Sequence, residues 1–84
     1  YPEQVADAIL ALRQPPWIWI DALPSDYDRA AVLIKTYAST KIDLVDCVVT
    51  AIAERMNITR ILTVDRRDFS ILRPKHCPAF ELLP

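Results

Sequence analysis

The spacing of apolar residues changes along the chain, and each change marks an element. Val5, Ala8, Ile9 and Leu12 recur three and four residues apart, which predicts a helix from Pro2 to Arg13, with Pro2 in its first turn. Gln14-Pro15-Pro16 stops it. Trp17-Ile18-Trp19-Ile20 is aromatic and β-branched and reads as a strand. Leu23-Pro24-Ser25-Asp26 is a turn with Ser25 as N-cap. A second helix runs on to about Ser39, with Tyr27, Ala30, Ala31, Ile34 and Ala38 on its inner side. After the linker Ser39-Thr40-Lys41, Asp43 caps a third helix that is mostly apolar from Leu44 to Met56, and Asn57 ends it. Ile61 to Val64 is too short and β-branched for a helix and predicts a buried strand closed by Asp65. The turn Arg66-Arg67-Asp68 follows, then an apolar anchor of Phe69, Ile71 and Leu72, a loop at Arg73-Pro74-Lys75-His76, and a last strand from Ala79 to Leu83.

The order helix, strand, helix, helix, strand, strand predicts an α/β layer architecture. No repeat, low-complexity tract or internal boundary divides it. Asp46 to Asn57 spans roughly 16 Å of helix at ~1.5 Å per residue. Arg60 to Asp65 spans about the same distance at ~3.3 Å per residue of strand. The chain thus descends the helix and climbs the strand by equal heights. That places Asp46 and Asp65 at one level, at the strand's carboxyl end, where open α/β sheets bind ligands.

Composition adds three constraints. The chain is 52% hydrophobic with a formal charge of −1, as expected of a globular protein. It has 84 residues, no Gly and seven Pro, whereas a complete doubly wound domain is longer and carries Gly at its strand–helix turns, so pieces are expected to be missing. No apolar run approaches the ~18–20 residues of a membrane span, no signal-peptide pattern is present, and Cys47 and Cys77 follow no zinc spacing, which together predict a cytoplasmic protein with reduced thiols. Charge is uneven. Between Arg60 and His76, Arg60, Arg66, Arg67, Arg73 and Lys75 face only Asp65 and Asp68. A basic rim beside acidic groups suits a phosphate-bearing substrate that meets a metal, and it equally suits an ordinary solvated surface.

Carboxylates on one edge suit a hard divalent cation such as Mg²⁺, which takes oxygen ligands and keeps several waters. Asp46 and Asp65 are the candidate ligands, with Asp68 to complete or orient the set and Thr63, on the same strand face as Asp65, to bond a carboxylate or substrate. Each residue also has a structural reading. Asp43 and Asp46 stand where helix-capping acids belong, Asp65 and Asp68 stand in a turn, and Asp46, Thr50, Glu54 and Asn57 form a polar stripe that suits water. A Gly-rich phosphate loop and a nucleophile elbow are both absent, which argues against a serine or cysteine hydrolase.

The run IDLVDCVVTAIAERMNITRILTVDRRDFSILRP resembles the C-terminal half of a PIN domain, most closely the VapC-type toxins of toxin–antitoxin pairs. The shared marks are the D-C step (usually D-A) opening the helix, the A-E-R before the turn, and I-L-T-V-D-R-R-D-F. The resemblance implies a parallel sheet flanked by helices, present here as an incomplete C-terminal fragment, with residues 1–84 forming part of a single domain. It implies a Mg²⁺- or Mn²⁺-dependent endoribonuclease, with metal ligands at Asp46 and Asp65 and an auxiliary acid at Asp68. Arg66 and Arg67, with Thr63, would meet RNA. The family's first metal-binding Asp and its helical Glu would precede Tyr1, so the fragment alone is expected to be inactive or nearly so. The implied partners are RNA, an antitoxin protein and a second copy of the chain. A non-catalytic interaction or dimerisation module is the alternative, and a nuclease acting on DNA or structured RNA a third.

Overall fold

In the computed structural model, residues 2–12, 18–63 and 66–83 are described. They form four helices and two strands: α1 (Pro2–Ala11), α2 (Pro24–Thr36), α3 (Leu44–Met56), β1 (Arg60–Leu62), α4 (Arg67–Ile71) and β2 (Glu81–Leu83), with a 3₁₀ turn at Ala38–Thr40. Among the described residues, no helix is long and apolar enough to cross a membrane.

Helix α3 forms where its local signals require. The Asp43 carboxylate accepts the Val45 N–H at 2.7 Å, and Asn57 ends the helix in the left-handed region at φ 56°. Asn tolerates that region better than most residues, because its short side chain bonds locally. The Ile58 N–H then closes back on the Ala53 carbonyl at 2.8 Å. Ile58 and Thr59 lead directly into β1.

Strands β1 and β2 pair in parallel, Arg60 with Glu81, Ile61 with Leu82 and Leu62 with Leu83. Backbone bonds extend the ladder by one residue each way, Glu81 N–H to the Thr59 carbonyl and Thr63 N–H to the Leu83 carbonyl. The chain is therefore a mixed α/β protein with a small parallel sheet.

Helix α3 packs on α2. Cys47, Thr50, Ala51 and Glu54 recur at three- and four-residue spacing, and Glu54 reaches Arg29 of α2, so this stripe faces α2. Ala30 and Leu33 of α2 join Cys47, Ala53, Ile42, Phe69, Leu72 and Phe80 in the core, with Phe69 edge-on to Phe80 at 6.0 Å. Two ion pairs close the far end of the helix pair. Glu54 accepts both Arg29 Nε and Nη2, and Asp26 accepts Arg55 Nε and Nη2. Glu54 Oε2 also accepts the Lys75 N–H at 2.8 Å, tying the loop before β2 to this pair.

Several sequence expectations are corrected. Ile18 to Ile20 are not a strand: they have no regular structure, and Ile18 and Trp19 are 83% and 66% exposed. β-branched residues become a strand only against a ladder partner, and the described ladder joins β1 to β2 alone. Trp17 and Arg13 lie outside the described residues, and α1 ends at Ala11. The N-cap of α2 is Leu23, not Ser25, because Asp26 rather than Ser25 reaches back to the free Leu23 N–H at 2.8 Å. Its inner face carries Asp26, Ala30 and Leu33, while Tyr27, Ala31 and Ala38 are exposed. The last strand starts at Glu81, not Ala79. The Asp46–Asn57 stripe does not face water through its middle, since Thr50 is buried and Glu54 is held by Arg29.

Glu54 joins α2, α3 and the loop before β2, so truncating it should cost more than an exposed ion pair would. Glu54→Ala is expected to lower stability by ~2 kcal/mol, as for hydrogen bonds to a charged group. The measurement is the urea midpoint; a change within experimental error would show that the clasp does not hold the fold.

Candidate metal centre

The acidic residues gather at the amino end of α3. Asp46 lies in the first turn of α3 and is half-buried. Asp68, in α4, is buried and turned toward the same turn. Its Oδ2 accepts the backbone N–H of Asp43 at 3.0 Å, and its Oδ1 accepts Arg67 Nη1 at 2.6 Å. The Asp46 side chain is a further hydrogen-bonding neighbour of Asp68. The Asp43 N–H holds the Asp68 carboxyl below the usual carboxylate range against the opposing effect of burial, with Asp46 and Arg67 adding to the shift.

Arg67 donates through Nη1 to Asp68 and through Nη2 to the Thr40 carbonyl. Lys41, which follows Thr40, is non-glycine yet left-handed at φ 55°. Thus α4 grips the connection between α2 and α3 on both sides of Lys41. Beneath the acids, Cys47 is fully buried. Burial pushes its thiol up, and the negative charges of Asp46, Asp68 and Asp43 push the same way, so it stays protonated and inert.

Of the candidate site residues, the structure brings Asp46 and Asp68 together and places Arg67 beside them. Thr63 continues the β1 ladder through its N–H. Arg66 is exposed at the start of α4. Asp65 and its expected meeting with Asp46 lie outside the described residues, as does Val64. The donors present are hard carboxylate oxygens, the set that Mg²⁺ or Mn²⁺ prefers. Among the described residues no three acidic, His or Cys side chains converge to hold a metal. The basic rim is largely engaged: Arg60 pairs with Glu81 at 3.2 Å, and Arg73 Nη1 donates to the Ser70 and Leu72 carbonyls.

The sequence reading missed the contact of Asp68 with the Asp43 N–H and the pairs Arg29–Glu54 and Arg55–Asp26. Opposite charges on α2 and α3 were the visible signal for the pairs; no signal pointed to the backbone contact. The pairs line a shallow cleft of about 320 Å³ at the opposite end of α3, bounded also by Ser25, Ala51 and Lys75. Its two carboxylates neutralise its two guanidinium groups.

Asp46 and Asp68 thus meet at the head of α3, beside the parallel β1–α4–β2 unit. Over 68 residues the chain is 31% identical to Ribonuclease VapC26 of Mycobacterium tuberculosis, an alignment that takes in 81% of this chain and 50% of that protein. The chain thus spans about half the length of the curated relative it matches. No family model and no solved structure matches it. The chain is similar, over most of its own length, to part of a VapC ribonuclease.

The acids give stability a defined pH dependence. Asp26, Glu54 and Asp68 are held below their ordinary values in the folded chain. A depressed folded value stabilises above the unfolded value, and the gain is lost as pH falls through the folded one. Stability should be flat from pH 7 to 5 and fall below about pH 4. Urea midpoints against pH measure it, and Asp68→Asn should give a shallower acid limb than the unaltered chain. Identical limbs would contradict the assignment of Asp68.

Proposed function

We propose that this chain is the C-terminal part of a single PIN-like domain of the VapC type, and that the whole domain is a metal-dependent endoribonuclease. The observation that carries the reading is the approach of Asp46 to Asp68 at the head of α3, in a chain similar to a VapC ribonuclease. In this reading Asp46 and Asp65 hold Mg²⁺ or Mn²⁺, and Asp68 supports them. When bound, such an ion lowers the pKa of a water and stabilises charge on phosphoryl oxygens. Thr63 and Arg66 orient the RNA backbone. Further ligands come from chain outside these 84 residues, which alone are inactive or nearly so. The domain acts in the cytoplasm and is restrained by an antitoxin protein.

Metal-dependent RNA cleavage by the full-length protein tests this. Asp46→Asn and Asp65→Asn should each lose at least ~100-fold in rate, the scale of a lost preorganised charge. Unchanged cleavage in both variants ends the proposal.

One observation favours a second role, as an interaction surface. The accessible surface is 6265 Å². A compact monomer of 9.6 kDa should expose ~5,100 Å² by the usual scaling with mass. The excess of roughly 1,200 Å² is surface that a complete compact domain would cover, and in an incomplete one it is open to a second copy. Exposed apolar residues of α1, Val5, Ile9 and Leu10, and of the following segment, Ile18 and Trp19, mark part of it. Light scattering on the 84-residue chain should show a dimer or larger, and Ile9→Asp with Trp19→Asp should shift it toward monomer. A monodisperse monomer without the substitutions would rule out self-association.

A further inference from the structure

The sequence reading gives Arg67 to RNA, but two of its nitrogens are engaged by the chain itself. Nη1 donates to Asp68 at 2.6 Å and Nη2 to the Thr40 carbonyl. Asp68, buried, in turn holds the Asp43 N–H at 3.0 Å. The two grips fall on either side of Lys41, which stands at φ 55°, ψ 49°. A side chain with a Cβ is sterically opposed to that region, so the chain there relaxes unless its neighbours fix it. Two residues beyond Lys41, Asp43 caps α3, and three further on stands Asp46. The position of the Asp46 carboxylate therefore depends on the turn that α4 clamps.

We infer that Arg67 is a positioning residue: with Asp68 it clamps the left-handed turn at Lys41 and so fixes Asp46 for metal binding. The inference rests on the metal-site reading above. It separates from a phosphate-binding role by the sign of one effect. Arg67 is a cation beside an acidic site, and removing a cation alone should strengthen binding of a second cation. Loss of the clamp should weaken it, as loss of outer supports does, by ~10–100-fold.

The test is Mn²⁺ affinity of the full-length protein by titration calorimetry. Arg67 is 55% exposed, so Arg67→Met should fold. It is expected to bind Mn²⁺ at least ~10-fold more weakly than the unaltered protein. Adding Lys41→Gly, which removes the steric opposition to the turn, should restore most of the loss. Unchanged or tighter Mn²⁺ binding in Arg67→Met overturns the inference. So does a rise in KM for RNA with a shallower salt dependence and intact Mn²⁺ affinity, which is the behaviour of a phosphate contact. Asp46→Asn is the separate control: if it binds Mn²⁺ as before, the metal-site reading itself has failed.

Discussion

Close packing of α3 on α2 is the constraint from which the other features follow. It is possible because the facing stripe of α3 carries Cys47, Thr50 and Ala51, small enough for the helices to approach. At one end of that contact, Arg29–Glu54 and Arg55–Asp26 lock the pair. At the other, the first turn of α3 presents Asp46. A buried ion pair is weak support for stability in itself, because desolvation opposes the attraction, but it specifies register strongly. A slide of α3 by one turn along α2 would unpair both arginines and carry Asp46 away from Asp68. The ends of one helix thus divide the work, charge pairing setting the alignment and the acids using it.

Much of this architecture was legible in residues that act locally. Asp43 and Asn57 bound α3 because capping needs only near neighbours. The apolar runs around Ile61 and Leu82 marked the two strands, whose parallel pairing agrees with the α/β reading, but β1 is not the buried strand expected, since Leu62 is 70% exposed. What the sequence concealed depends on partners far along the chain. Ile18 to Ile20 look like a strand in isolation and lack the ladder that would make them one. Glu54 looks like a solvent-facing residue until Arg29 and the Lys75 N–H converge on it. Of the candidate site, Asp68 stands beside Asp46, the expected meeting of Asp46 with Asp65 lies outside the described residues, and the grip of Asp68 on a backbone N–H twenty-five residues away was not foreseen.

Cys47 shows how burial and charge combine. A cysteine beneath a group of acids invites a reading as a reactive group. Its surroundings are apolar and its nearest charges negative, so both effects oppose the thiolate. It serves as a slightly larger alanine that fills space under the first turn of α3.

The tether from Glu54 to the Lys75 backbone bears on the order in which the chain assembles. Parallel strands cannot zip from a hairpin; β2 must return across the α4 crossover before it finds β1, and that closure costs entropy before any ladder bond offsets it. Glu54 stands on the α2–α3 pair, and its bond to the Lys75 N–H spans 21 residues, the same separation as the paired strand residues. By catching Lys75 six residues before β2 begins, it shortens the search for the strand's register. The sheet is thus moored to the helical pair by one carboxylate as well as by its own ladder.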